Sequence, residues 1–220
     1  MHYQNTKSNT MNIEKLVDKW KYRQTIPSVI DQREIQEICP ECRKHPTACF
    51  MRLLAEVLEI EDATVLDLTY GIGEFYRYWK PSYLVAFDVK KWDWVVQPDE
   101  FYEAPFWEAP NILGEKKFDV VVFDPPYDVV KAISTRTWLY YGRENLGTIL
   151  QNFPKIAKKY ARKYVIAKFM DGRKYTVFDL VNTFGQRPKY VIIYRFVYYR
   201  RPTKHNKVIK THVYYLIWTM

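Results

Sequence analysis

The chain has 220 residues, of which 48% are hydrophobic and 27% are charged, with a formal net charge of +9 at pH 7. These values are typical of a globular protein and exclude disordered, collagen-like and disulfide-scaffold chains. No apolar run approaches the ~20 residues that a membrane helix needs. The polar start from Met1 to Asn12 lacks the apolar segment of a secretory signal. We therefore expect an intracellular, cytoplasmic protein with no membrane partner.

The first 62 residues predict a small helical appendage, followed by a second domain over residues 63–220. Apolar residues have helical spacing from Ile13 to Gln24 and from Ala48 to Leu58, and a short helix is expected from Asp31 to Ile38. Beyond residue 62, apolar runs alternate with helical patterns. The expected strands are Val65–Leu68, Tyr83–Phe87, Phe118–Phe123, Lys163–Phe169, Tyr190–Tyr199 and His212–Trp218, and the expected helices are Leu146–Ala161 and Val177–Phe184.

Alternating strands and helices indicate a doubly wound α/β sheet that is mostly parallel, with helices on both faces. The last two strands are joined by a basic turn from Arg200 to Lys210, so they should pair antiparallel. We expect a seven-stranded Rossmann-like sheet whose last strand is antiparallel. The segment from Trp92 to Lys117 is rich in proline and is expected to be irregular, apart from a candidate strand from Trp94 to Gln97.

A glycine loop follows the first of these strands, in the sequence Asp67-Leu68-Thr69-Tyr70-Gly71-Ile72-Gly73. Two glycines one residue apart allow a sharp turn and a close approach of the backbone to a ligand, although an ordinary tight turn gives the same letters. Asp88 comes 21 residues after Asp67, at the end of the next strand. A carboxylate there can accept hydrogen bonds from both ribose hydroxyls, which favours nucleoside binding.

The same loop lacks features of phosphate-binding loops. Position 76, where a dinucleotide fingerprint has its third glycine, is a tyrosine, and the chain has no Gly-Lys-Ser or Gly-Lys-Thr sequence. An adenosine ligand without a phosphate chain fits this loop better. The sequence therefore indicates S-adenosylmethionine as the cofactor.

A second motif, Asp124-Pro125-Pro126-Tyr127, directly follows the apolar strand that ends at Phe123. With the glycine loop and Asp88 before it, the sequence resembles the class I S-adenosylmethionine-dependent amino-methyltransferases of nucleic acids over roughly Thr64 to Met220. The resemblance implies methyl transfer to an exocyclic amino group of a base. It also implies that Asp99 binds the adenine of the cofactor and that Thr69 and Tyr70 border its methionine part.

The tetrapeptide suits this chemistry for a physical reason. An exocyclic amine is a poor nucleophile because its lone pair is delocalised into the ring, and two acceptors on one side bring it toward tetrahedral geometry. Asp124 and the carbonyl of Pro125 would be those acceptors, since each proline fixes the backbone around it. Tyr127 would stack on a flipped or single-stranded base. Lys168, at the end of the next strand, could point into this site, or its amine could lie in solvent.

All three cysteines fall in the cluster Cys39, Cys42, His45 and Cys49. This content suits a tetrahedral zinc site, so zinc is a candidate second cofactor. The spacing is tighter than in the familiar zinc knuckles, and an iron–sulfur site is conceivable. A turn with reduced thiols, in which His45 caps the following helix, remains the alternative.

The positive charge is concentrated near the end of the chain. Residues 155–220 contain 16 Lys and Arg residues but only two acidic residues, whereas residues 1–154 carry a net charge of −5. A polyanionic partner, DNA or RNA, is the simplest explanation. The residues expected to contact it are Arg136, Arg143, Arg200, Arg201, Lys204 and Lys207.

The substrate class is left open by the motifs. We favour an adenine or cytosine of DNA, with a base of tRNA or rRNA as the alternative. A protein glutamine methyltransferase would have Asn at position 124, and the basic end of the chain also argues against it. A nucleic-acid-binding module that has the fold without turnover is the remaining hypothesis.

Overall fold

The computed structural model describes residues 29–31, 44–126, 146–172, 174–199 and 208–220. In these ranges eight strands form one sheet. They are β1 (Val29–Asp31), β2 (Thr64–Asp67), β3 (Tyr83–Asp88), β4 (Glu100–Glu103), β5 (Phe118–Phe123), β6 (Ala161–Phe169), β7 (Tyr190–Tyr199) and β8 (Val208–Thr219). Their order across the sheet is β1-β7-β8-β6-β5-β2-β3-β4.

The strand directions confirm the predicted mostly parallel sheet with an antiparallel last strand. Among the described strands, only β8 runs antiparallel to its neighbours, β6 and β7. The predicted number of seven strands is wrong, because β1 adds an eighth strand parallel to β7 at the edge of the sheet. The helix expected from Asp31 is wrong at its first residue, which belongs to β1. The rest of that helix, and the one expected from Ile13 to Gln24, lie outside the described residues.

Four α-helices flank the sheet within the described ranges: α1 (Pro46–Val57), α2 (Ala109–Leu113), α3 (Leu146–Tyr160) and α4 (Val177–Phe184). Proline in the first turn of α1 costs no intrahelical hydrogen bond, because the amides of that turn have no partner within the helix. Among the described residues, no helix is both long enough and apolar enough to cross a membrane.

Two hydrophobic cores lie on opposite faces of the sheet, because successive strand residues point to opposite sides. Val65 and Val120 pack with α1 on one face, whereas Leu66 and Val121 pack with α2, α3 and α4 on the other. The ring of Phe50 in α1 has its centroid 4.2 Å from that of Tyr215 in β8. α1, which precedes the predicted boundary at residue 62, therefore packs in the same core as the strands that follow it.

The segment from Trp92 to Lys117, expected to be irregular, contains β4, a 3₁₀ turn at Phe106–Glu108 and α2. Its strand is Glu100–Glu103 and not Trp94–Gln97. β4 pairs only with β3 among the described strands, and its residues are half-buried or exposed. A short polar edge strand of this kind has no continuous apolar run, which explains why the sequence pattern did not predict it.

β7 and β8 extend beyond the rest of the sheet as a two-stranded ribbon. They pair from Tyr190 opposite Ile217 to Tyr199 opposite Val208, whereas β6 pairs with β8 only as far as Phe169 opposite Tyr214. The six residues 208–213 of β8 therefore continue past β6, a length of about 20 Å at the usual rise per residue. Because β7 is parallel to β6, this β7–β8 ribbon leaves the sheet at its carboxyl edge.

Candidate active site

The carboxyl ends of four neighbouring strands bring the predicted motifs to one edge of the sheet. Asp67 is aligned with Ala86 of β3 and Val122 of β5, so the residues that follow each strand are close together. Phe123 in β5 is aligned with Ala167 in β6, which places Asp124 beside Lys168. Ligands of open α/β sheets bind at this edge.

The glycine loop after β2 has the backbone geometry that its sequence predicts. Both Gly71 and Gly73 have positive φ, 58° and 77°. A Cβ atom on Gly73 would be 2.6 Å from the Tyr70 hydroxyl, which itself donates to the Val96 carbonyl at 2.7 Å. The amide of Val95 donates to the carbonyl of Ile72 at 2.8 Å. The loop is thus fixed against residues 95–96 by both backbone and side-chain hydrogen bonds.

Asp88 connects the end of β3 to the glycine loop. Its Oδ2 accepts from the Gly71 amide at 2.8 Å, and its Oδ1 accepts more weakly from the indole of Trp92 at 3.4 Å. The residue is 5% exposed, and burial raises the pKa of Asp88 although the Gly71 amide opposes the shift. A buried carboxylate next to a glycine turn can accept further hydrogen bonds from the hydroxyls of a nucleoside.

Asp67 is the most deeply buried carboxylate of the site, at 2% exposure. Its Oδ1 accepts from the Thr69 amide at 2.8 Å and its Oδ2 from the Tyr76 hydroxyl at 2.7 Å. Burial, with smaller contributions from the nearby carboxylates of Asp124 and Asp88, raises the pKa of Asp67 to about 7, although the hydrogen bonds from Thr69 and Tyr76 oppose the shift. The sequence analysis did not predict this contact between Tyr76 and Asp67. The only sign of it in the sequence was a tyrosine at position 76, where a dinucleotide fingerprint has glycine.

Asp124 is held by contacts to the glycine loop and to β6. Its amide donates to Thr69 Oγ1 at 2.6 Å, and its Oδ2 is 2.9 Å from the ammonium of Lys168. Lys168 and Asp124 have side-chain exposures of 13% and 23%. The alternative in which the Lys168 amine lies in solvent is therefore wrong. Pro125 is buried and Pro126 half-buried, whereas Tyr127 lies outside the described residues.

The arrangement combines hydrogen-bond acceptors with negative charge. Asp67 and Asp88 end two adjacent strands, and Asp124 follows a third. The carboxylates of Asp88 and Asp124 are close enough to act electrostatically on Asp67. Such an edge can accept hydrogen bonds from hydroxyl and amino groups and attracts a positively charged ligand.

Comparison with known proteins shows the fold. No protein-family model matches the chain, and no curated protein matches it in sequence. A proposed RNA methyltransferase from Pyrococcus horikoshii matches it with a TM-score of 0.51 at 14% sequence identity, over 78% of this chain and 82% of the other. The chain has a Rossmann-like methyltransferase fold.

Two further solved structures match with lower TM-scores. An rRNA methylase from Streptococcus thermophilus has a TM-score of 0.42 at 16% identity, covering 80% of this chain and 96% of that one. A S-adenosylmethionine-dependent methyltransferase from Neisseria gonorrhoeae has a TM-score of 0.46 at 16% identity, covering 82% and 70%.

Within the methyltransferase fold, Asp99 is at the wrong edge for its predicted role. Its Oδ2 accepts from the amide of Leu84 at 2.7 Å, near the start of β3, so Asp99 lies at the amino edge of the sheet. The misplaced candidate strand at Trp94–Gln97 caused this error. The acidic residue at the carboxyl end of β4 is Glu103, which is aligned with Asp88 and exposed. Glu103 could not be predicted as a site residue from the sequence, because β4 has no continuous apolar run.

The structure describes two members of the predicted Cys/His cluster. His45 Nδ1 is 2.8 Å from Glu74 Oε1, and Cys49 is disulfide-bonded, so its sulfur is not a thiolate ligand. No group of three metal-ligating side chains occurs among the described residues. The other two members of the cluster, Cys39 and Cys42, lie outside those residues.

The six cationic residues predicted to bind nucleic acid, Arg136, Arg143, Arg200, Arg201, Lys204 and Lys207, also lie outside the described residues. The strands next to four of them are described. β7 ends at Tyr199 and β8 begins at Val208, and both positions are on the carboxyl side of the methyltransferase fold. The chain connecting these two strands therefore leaves and re-enters the sheet on the side where Asp124 is found.

Proposed function

We propose that the protein transfers a methyl group from S-adenosylmethionine to an exocyclic amino group of a nucleic-acid base. One observation carries the proposal: Asp124 of the Asp-Pro-Pro motif is hydrogen-bonded to Thr69 of the glycine loop. A single contact thus joins the candidate methyl-acceptor site to the candidate cofactor site. The methyltransferase fold supports this assignment of the two motifs.

The residues around the glycine loop fit the cofactor. S-adenosylmethionine supplies an electrophilic methyl group on a positively charged sulfur. Asp88 would accept from the ribose hydroxyls, and Glu103 replaces Asp99 as the candidate acceptor for the adenine amino group. Gly71 and Gly73 allow the backbone to approach the ligand, with Thr69 and Tyr70 bordering its methionine part. Asp67 would fix the loop around the ligand, because it accepts from the Thr69 amide and from the Tyr76 hydroxyl.

Asp124 and Pro125 would act on the target amine. The Asp124 carboxylate accepts one amine hydrogen, the carbonyl of Pro125 accepts the other, and the nitrogen lone pair is then directed at the methyl carbon. Because Pro125 and Pro126 restrict the backbone, the acceptors are oriented before the substrate binds. Stacking of Tyr127 on the base completes the proposed site.

The charge distribution supports nucleic acid as the substrate. Residues 180–220 contain no acidic residue, and the β7–β8 ribbon leaves the sheet at the carboxyl edge, the edge at which Asp124 is found. A flipped or single-stranded base is required, since a paired base does not reach such a site. The Pyrococcus horikoshii neighbour is itself a proposed RNA methyltransferase, so RNA is tested beside the DNA that we favour.

A radiolabelled methyl-transfer assay with DNA, total tRNA and rRNA tests the proposal. We expect label in at least one nucleic acid with the wild-type protein, and a loss of about 100-fold or more in rate for Asp124→Ala. Asp62→Asn, at an exposed position before β2, is the matched control and should retain full activity. The proposal is wrong if no nucleic acid is labelled, or if Asp124→Ala is as active as wild type.

A further inference from the structure

We infer that Lys168 determines which bases are accepted, by donating a hydrogen bond to the ring nitrogen next to the target amine. The inference rests on the proposed function. It assigns Asp124 and Lys168 to neighbouring atoms on the edge of one base: the carboxylate to the amino group, and the ammonium to the adjacent ring nitrogen.

The position of Lys168 follows from the register of two strands. β5 and β6 are parallel, and Phe123 is aligned with Ala167. The next residues, Asp124 after β5 and Lys168 in β6, therefore lie side by side. The two charged groups are 2.9 Å apart. A lysine at this position of β6 is thus placed beside Asp124 by the pairing of the sheet, independently of any loop.

The ammonium is confined by its surroundings. The Lys168 side chain is 13% exposed, and Nζ lies 5.3 Å from the centre of the Phe75 ring, which is itself buried. Lysine side chains usually extend into water, and immobilising one in a half-buried site is unfavourable unless its ammonium interacts with an anion or an acceptor.

A carboxylate beside an ammonium presents an acceptor next to a donor. Adenine has its amino group beside N1, and cytosine has its amino group beside N3, and both ring nitrogens are acceptors on the Watson–Crick edge. Guanine has its amino group beside N1–H, a donor that would face the ammonium. Its N3 acceptor lies on the other side, next to the sugar. The pair therefore complements adenine and cytosine and opposes guanine on the Watson–Crick edge.

Identification of the methylated nucleoside by mass spectrometry is the first test. DNA, tRNA and rRNA are incubated with wild-type protein and S-adenosylmethionine and then digested to nucleosides. We expect the methyl group on the amino nitrogen of adenine or cytosine. Methylation at the amino nitrogen of guanine overturns the inference and leaves the proposed function standing, whereas no methylation of any base refutes the proposed function.

An atom-level test uses an oligonucleotide containing the methylated site, with the target base replaced by its deaza analogue (1-deazaadenine or 3-deazacytosine). The analogue retains the amino group but lacks the adjacent ring nitrogen. Wild type should lose about 10- to 100-fold in kcat/KM on the analogue, the usual effect of removing a hydrogen bond to a charged group. A loss of less than threefold overturns the inference.

The variant Lys168→Met completes a double-mutant cycle, which removes the effect of the analogue on the intrinsic reactivity of the amine. It should be about 10- to 100-fold slower on the normal base, with little further loss on the analogue. If Lys168 only orients Asp124, both proteins lose the same factor on the analogue, and the inference is wrong. Lys168→Arg should recover part of the discrimination, and Lys80→Met, at an exposed position, is the control.

Discussion

At the scale of single residues, the two glycines of the loop after β2 have different surroundings although both have positive φ. A Cβ atom on Gly71 would have no neighbour within 4 Å, whereas one on Gly73 would be 2.6 Å from the Tyr70 hydroxyl and 3.0 Å from the Val96 carbonyl. Gly71→Ala therefore carries only the cost of a left-handed backbone. Gly73→Ala must also displace Tyr70 from its hydrogen bond with Val96.

We expect Gly71→Ala to lower the free energy of unfolding by about 1 kcal/mol, the usual cost of alanine in this backbone conformation. Gly73→Ala should lower it by about 3 kcal/mol, because a steric conflict and a lost hydrogen bond are added. Urea denaturation of both variants measures the difference. Equal losses in the two variants would contradict the close approach of Tyr70 to Gly73.

The pKa of Asp67, raised to about 7 by burial and by nearby carboxylates, predicts a pH dependence of stability. In the unfolded chain the carboxyl group releases its proton near pH 4, whereas the folded protein holds it until about pH 7. The folded state binds the extra proton between these values, so the free energy of unfolding should fall as the pH rises from 4 to 7.

Urea denaturation from pH 4.5 to 8 tests this dependence, with Asp67→Asn as the comparison. The amide cannot ionise, so the contribution of Asp67 to the slope should disappear in the variant. If the two proteins show the same slope over this range, the burial of Asp67 does not control its ionisation.

At the scale of elements, the start of α4 is stabilised by a capping box between Thr176 and Asp179. Asp179 Oδ2 accepts from the amide and from the hydroxyl of Thr176, at 2.7 and 2.8 Å. These hydrogen bonds lower the pKa of Asp179, so its stabilising effect is present at neutral pH and is lost as the pH falls below about 4. Asp179→Ala should lower the free energy of unfolding at pH 7 by about 1 kcal/mol.

Thermal or urea denaturation at pH 7 measures this loss. Asp179→Asn is the matched variant, because it retains an acceptor oxygen without the charge, and it should lose less than Asp179→Ala. A variant Asp179→Ala with wild-type stability would show that Thr176 and Asp179 do not stabilise the start of the helix.

The strands buried on both faces have a clear signal in the sequence. β5, with the sequence Phe-Asp-Val-Val-Val-Phe, is such a strand, because its position in the middle of a parallel sheet requires a continuous apolar run. β1 and β4 lie at the two edges and have only three and four residues. Their sequences contain no comparable run, so pattern alone predicted neither.

The residues of the candidate site also divide into those that the sequence pattern could predict and those that it could not. Asp67, Asp88 and Asp124 were predictable because each lies at or just after the end of an apolar strand, and parallel strands end at a common edge. The ion pair of Lys168 with Asp124 depends on the register of β5 and β6, and the bond from Tyr76 to Asp67 depends on the course of a loop. Neither property is encoded in the periodicity of the sequence. Asp99 was misassigned because its role depended on the undetected edge strand β4.

At the scale of the whole molecule, the β7–β8 ribbon leaves the sheet at its carboxyl edge, and the sequence between its two strands is basic. We expect nucleic-acid affinity to fall steeply with salt concentration, because each phosphate contact releases a counterion. Neutralising Arg200, Arg201 and Lys204 with glutamine should reduce the slope of log Kd against log salt by about 2 to 3, the expected change for three phosphate contacts.

Fluorescence anisotropy with a labelled single-stranded oligonucleotide at several salt concentrations measures that slope. The control variant has the same loss of charge at the opposite, amino edge of the sheet, through glutamine at the exposed residues Lys80, Lys116 and Lys117. Its slope should match wild type. An unchanged slope in the Arg200, Arg201 and Lys204 variant would mean that these residues contact solvent and not the substrate.

The pairing of β1 with β7 has a consequence for self-association. An unpaired strand edge is a template on which another chain can add a strand, and β7 is ten residues long, with a row of β-branched and aromatic side chains. β1 covers Ile193, Tyr194 and Arg195 on that edge and is anchored by the buried Ile30. Three residues near the start of the chain thus protect the middle of β7 from recruiting a second copy of the protein.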